Sequence, residues 1–210
     1  MNYRFSDEFL AYLELKQDML FHKIPDKKIS YYISSSLEKG KALAQKYQGN
    51  TLEDLFKKLD ILVTPAKSEG SFYKVKFRAQ FEVDAKGNKE IVIYNRSIQD
   101  LADKNDVTFE GMKKIVLAHE LFHFLEETLD ESVSENLESI ESFKFLGLSR
   151  KAKISRASEI AANAFSKTFL KLNYLPNYYD YQYILKTNQM KENELEEEYQ
   201  NFERVFKMNN

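Results

Sequence analysis

Two histidines stand four residues apart, His119 and His123, with Glu120 directly after the first, inside the apolar run from Ile115 to Glu126. On a helix, positions i and i+4 share a face, so the two imidazoles point the same way and can hold one divalent ion between them. Glu120 projects to the side of that pair, within reach of a water on the ion. Two ligands and a general base on one rigid rod is the layout of metal-dependent peptide hydrolysis.

The context reads as a helix throughout. Thr108 can cap its start with Glu110 in the first turn, and Phe109, Met112, Ile115, Val116, Phe122 and Leu125 keep helical spacing. Catalytic zinc takes three protein ligands and a water. The chain has no cysteine and three histidines in all, the third being His22. The third ligand is therefore expected to be a carboxylate. Glu159 is the best candidate, on a helix expected over 155–172 with Ser155 as its cap and the small residues Ala157, Ala161 and Ala164 on one face. Small residues allow close helix approach and so help carry a carboxylate up to the histidines. His22 reads as a surface or capping residue. A donor to a substrate carbonyl could come from His22 or from one of Tyr178, Tyr179, Tyr181 and Tyr183, which otherwise pack with wet hydroxyls.

His119-Glu120-x-x-His123 followed by Glu159-x-x-Ala162-Asn163-x-Phe165 resembles the ImmA/IrrE family of bacterial and phage metallopeptidases. The likeness covers residues 50–172 in organisation. It implies a zincin-like fold, with the third ligand at Glu159. Its best-known members cleave helix-turn-helix repressors and release transcription in mobile elements or stress responses. Three features depart from the pattern: Phe122 stands where the family commonly has glycine, Ser166 replaces an alanine, and His123 and Glu159 are further apart than expected, with an insertion at 129–154.

On this reading His119, His123 and Glu159 bind the metal, and Glu120 is the catalytic base. Zinc is the default ion, with manganese or iron compatible. Asn163, one turn beyond Glu159, orients a ligand or a water, or else packs as a helix–helix amide. The partner is a protein substrate, expected to be a transcriptional repressor. Two alternatives stay open: a non-catalytic module that sequesters a DNA-binding partner, and a peptidase with an unrelated substrate.

The elements that must position these residues read as an α+β chain. A length of 210 residues suits a single domain, and 43% hydrophobic with 30% charged residues fits a folded globular chain. A net charge of −2 implies no large basic face for nucleic acid. No run of 18 apolar residues is present, and the first twenty residues carry acidic side chains with no apolar signal core, so the expectation is a cytoplasmic protein without a membrane span.

Helices are expected over 7–24, ended by Pro25, and over 28–48, weakened or broken at Gly40. A short helix from Thr51 to Leu59 precedes a strand at 61–65, an alternating strand at 71–83, a turn at 84–88, a central strand at 90–94 and a helix at 97–102. Residues 129–154 read as a connecting insertion with some helix, Gly147 ending one, and the tail as a helix over 191–206. The result is a small antiparallel-containing sheet packed on the metal helix. Helical additions flank this core at 1–48 and 173–210. A sheet edge beside that helix can hold an extended peptide, though no single substrate-binding residue is assigned.

Overall fold

The structure, a computed structural model, describes residues 4–67, 71–72, 75–84, 87–129, 132–145 and 148–207. The architecture is α+β. Strands β1 (Ile61–Pro65), β4 (Ala79–Val83) and β5 (Lys89–Ile93) form a mixed sheet in the order β1-β5-β4, with β1 parallel and β4 antiparallel to the central β5. The β4–β5 turn is held by Asp84, whose carboxylate accepts from the backbone and amide N–H groups of Asn88. Gly87 supplies the positive φ of 83° that the turn needs. The short strands β2 (Ser71–Phe72) and β3 (Val75–Lys76) pair with each other instead. The expected single strand over 71–83 is thus broken. β5 ends at Ile93 because helix α4 (Asn95–Asn105) begins two residues on, and the pairing with the β4 chain ends with the Tyr94 N–H donating to the Arg78 carbonyl. α4 itself starts and ends beyond the expected 97–102, and Ser97 lies buried inside it.

The helix that carries the two histidines is α5 (Phe109–Thr128), capped by the Thr108 hydroxyl, which accepts from the Gly111 N–H. It packs under the sheet through Phe124, whose ring lies 5.3 Å from that of Phe81. The Glu159 helix is α7 (Arg156–Leu170), and Phe122 joins it to α5 by meeting Phe165 at 5.8 Å. Phe122 therefore lies in the core between the helix of the two histidines and that of Glu159.

α7 is held from behind by α2 (Asp26–Lys46), one uninterrupted helix. Gly40 is no break. A Cβ there would lie 2.1 Å from the Ala161 carbonyl oxygen and 2.9 Å from the Ala164 Cβ, so glycine permits a close helix crossing. The small-residue face of α7 is spent on this contact, which leaves the Glu159 face free to meet α5.

The first helix is shorter than its apolar stripe predicts. α1 spans Asp7–Leu15, and a 3-10 turn follows at Phe21–Lys23. The break is made by Asp18, a buried carboxylate. Its Oδ1 accepts from the Leu20 N–H, and its Oδ2 accepts from the Ser155 hydroxyl and the Arg156 N–H. Asp18 thus caps α7 from a distance, in place of the Ser155 side chain, which makes no cap bond.

Where a connecting insertion with some helix was expected, residues 129–154 hold a short helix α6 (Val133–Asn136) and an unexpected hairpin of β6 (Ile140–Phe145) and β7 (Leu148–Ala152). Gly147 lies outside the described residues. In the tail, expected to be helical over 173–210, the tyrosine-rich segment forms helix α8 (Asn177–Lys186), which was not delimited from the sequence, and α9 (Glu192–Lys207) follows as expected. No helix among the described residues is long and apolar enough to cross a membrane.

Candidate metal centre and its cleft

α5 and α7 bring His119, His123 and Glu159 together. The two Nε2 atoms are 3.1 Å apart, Glu159 Oε2 is 3.2 Å from His119 Nε2, and Glu159 Oε1 is 3.6 Å from His123 Nε2. A tetrahedral ion with bonds of about 2.1 Å sets its ligand atoms about 3.4 Å apart. The observed separations bracket that edge, so three donors spread over a sequence separation of 40 form a group that can hold a metal ion. Two imidazoles and a carboxylate suit zinc, manganese or iron.

A fourth side chain, absent from the sequence reading, fixes the orientation. Glu126, one turn after His123, sets Oε2 3.6 Å from His123 Nδ1. Its other oxygen accepts from the Val133 N–H and the Ser158 hydroxyl, each at 2.6 Å. The carboxylate therefore turns Nδ1 inward and leaves Nε2 for the ion, the carboxylate–histidine arrangement common behind metal ligands. The signal was in the spacing: Glu126 lies three residues past a ligand on the same helix face.

The electrostatics follow from this crowding. Burial alone would lower the His123 pKa, but hydrogen bonds to Glu126 and Glu159 and the charges of Glu159 and Glu120 outweigh it and push the imidazole up to about 10. Burial likewise opposes ionisation of Glu159, yet bonds and charges from His119 and His123 hold its carboxyl well below the usual range. Glu126 is lowered against its own burial by His123, Ser158 and the Val133 N–H. A cation arriving here displaces a proton, so its binding weakens as pH falls.

The group opens into a cleft of about 970 Å³ walled by β4, α5, α7, α8 and the end of α1. Glu120 lines it and has no hydrogen-bond partner among the described residues. No strand among the described residues pairs with the outer side of β4, which forms one wall. Both helical additions reach the site: Glu14 from α1 with Gln17 from the turn after it, and Asp180 and Tyr181 from α8. Burial pushes the Glu14 carboxyl up, with Arg156 at 2.9 Å pulling the other way. Arg78 ties β4 to α8 and α4, donating to Asp180 at 2.7 Å and to Ser97.

His22 is exposed in the 3-10 turn and is not among the cleft residues. Of the four tyrosines considered, Tyr181 lines the cleft, while Tyr183 donates to Asp100 and Tyr178 stacks on Tyr174. Asn163 is buried beside Glu159 and lines the cleft, but no hydrogen bond joins it to a ligand, so it does not orient one directly.

No family model, no curated protein and no solved structure matches this chain.

Removing the Glu126 carboxylate tests the orienting role. Glu126→Ala is expected to leave the Val133 N–H and His123 Nδ1 without their partner and to weaken zinc binding about 10–100-fold. Competition against a chromogenic chelator measures it. Zinc affinity within twofold of the wild type would show that the histidine is held by packing alone.

Proposed function

We propose that the protein is a zinc-dependent endopeptidase with a zincin-like arrangement. The observation that carries this reading is the convergence of His119, His123 and Glu159 in one cleft with the unpartnered Glu120 carboxylate beside them. A metal-free structural role would call for no base there. A structural ion would call for a closed ligand set.

An ion held by the three ligands supplies a water of lowered pKa and a polarised carbonyl. The chain does the rest. Glu120 takes the proton of the attacking water at its carboxylate and delivers it to the departing amide nitrogen. Glu126 holds His123 in the ligating orientation. The free edge of β4 offers N–H and C=O groups to an extended peptide, as strand addition requires. Ion, base and extended substrate then meet in one place.

The two motifs resemble those of ImmA/IrrE metallopeptidases, and on that resemblance the substrate is a helix-turn-helix repressor, cut at one site. The test compares zinc-loaded and chelated protein on two substrates: a repressor encoded beside its gene, and a pool of unstructured peptides. Zinc-dependent cleavage of the repressor at a single bond is the expected result. Cleavage of peptides alone points to an unrelated substrate. Binding of the repressor without cleavage points to sequestration, and no zinc-dependent cleavage of either ends the hydrolase reading.

A further inference from the structure

Peptide hydrolysis places negative charge on the carbonyl oxygen, and a hydrogen-bond donor aimed at that oxygen is worth a large rate factor. Two of the side-chain donors that line the cleft are engaged elsewhere. Arg78 is bound to Ser97 and Asp180, and the Asn177 amide donates to the Leu10 carbonyl. Gln80 is half-buried and accepts from the Tyr94 hydroxyl, and Tyr181 enters the cleft from α8 and not from the helix of Glu159. Arg156 pairs with the buried Glu14, and solvent reaches its remaining N–H groups.

Asn163 is different. It is 4% exposed, lines the cleft, and has no hydrogen-bond partner among the described residues. Its amide atoms are not sealed from solvent, so the unpaired group faces the cleft and can bond what enters it. Its position suits a substrate. Asn163 follows Glu159 by four residues on α7, on the same face and about 6 Å further along the axis. A carbonyl drawn toward the three ligands comes within reach of that amide.

We propose that Asn163 is the donor to the substrate carbonyl, its Nδ2 amide meeting the oxygen of the peptide bond held at His119, His123 and Glu159. This rests on the hydrolase reading. It makes α7 a two-part element, with Glu159 holding the ion and Asn163 the oxygen.

Asn163→Leu separates this role from a structural one, because leucine fills the space and removes the amide. Asn163→Ala serves as a second variant. The zinc-loaded proteins are titrated with acetohydroxamate, which presents a carbonyl oxygen to the ion, and melted in parallel. Asn163→Leu is expected to melt at or above the wild-type temperature and to bind zinc within about twofold of it. Its hydroxamate affinity should fall about tenfold, the worth of one hydrogen bond. On a cleaved peptide, kcat should fall about 10²–10³-fold with KM nearly unchanged. Unchanged hydroxamate affinity overturns the proposal while leaving wild-type cleavage intact. A fall in zinc affinity overturns it too, since Asn163 would then act on the ligands. Wild-type protein that binds hydroxamate but cleaves nothing removes the hydrolase reading itself, and the proposal with it.

Discussion

Glu120→Gln is expected to leave zinc bound at one ion per chain and to slow peptide hydrolysis about 10²–10⁴-fold, the usual worth of a general base. That corresponds to about 3–5 kcal/mol of transition-state stabilisation. The size follows from the position of the residue. Glu120 is adjacent in sequence to a ligand but is no member of the ligand group, and nothing in the described chain bonds its carboxylate. Glutamine keeps the shape and loses only the ability to take a proton.

The comparison with Glu126 makes the result specific. Both acids lie on α5, but Glu126 is tied to His123, Val133 and Ser158. Loss of Glu126 should therefore act on zinc affinity, and loss of Glu120 on turnover at saturating zinc. Equal turnover by wild type and Glu120→Gln, with metal content measured on the same samples, would remove the base from the mechanism.

The site was legible because its residues are rare and their spacing local. Two of three histidines four apart fix a shared face whatever the tertiary fold. Glu159 could be chosen because cysteine is absent and its helix is rich in alanine, though the alanines turned out to face α2, with Glu159 on another side. What escaped was tertiary. Asp18 ends α1 because its carboxylate is needed at the start of α7, 137 residues away from its Ser155 partner, and no local pattern records that demand. The β6–β7 hairpin was hidden by acidic residues before it and by aromatic residues that also fit a helix. α8 was masked by tyrosines, whose propensity favours strands. Its docking depends on partners far away in sequence, among them the Leu10 carbonyl and Asp100. Gly40 showed the same blindness in reverse. A glycine in a helical pattern reads as a weak point, whereas here it is where a second backbone comes close.

Gly40→Ala is the substitution expected to do most damage away from the site. In an exposed helix interior this change would stabilise by about 1 kcal/mol, since alanine is the better helix former. Here the new Cβ would lie 2.1 Å from the carbonyl oxygen of Ala161 and 2.9 Å from its carbonyl carbon. Both are backbone atoms of α7, so no rotamer change relieves them, and the two helices must part by about 1 Å to restore van der Waals contact. Overpacking of this kind costs about 1–3 kcal/mol, or more when backbone must move. A loss near 3 kcal/mol lowers the melting temperature by about 6–12 °C in a chain of this size.

The shift also reaches the candidate metal site. α7 carries Glu159, whose oxygens stand 3.2 and 3.6 Å from the two imidazoles, and a displacement of 1 Å is a large fraction of either distance. Zinc affinity should therefore fall together with stability, in contrast to Glu120→Gln, which moves neither. Adding Ala164→Gly removes only the side-chain part of the clash, so the double variant should recover some stability but not the wild-type value. Full recovery would mean that the Ala161 carbonyl is not the obstacle, and that α2 does not set the position of the helix carrying the third ligand.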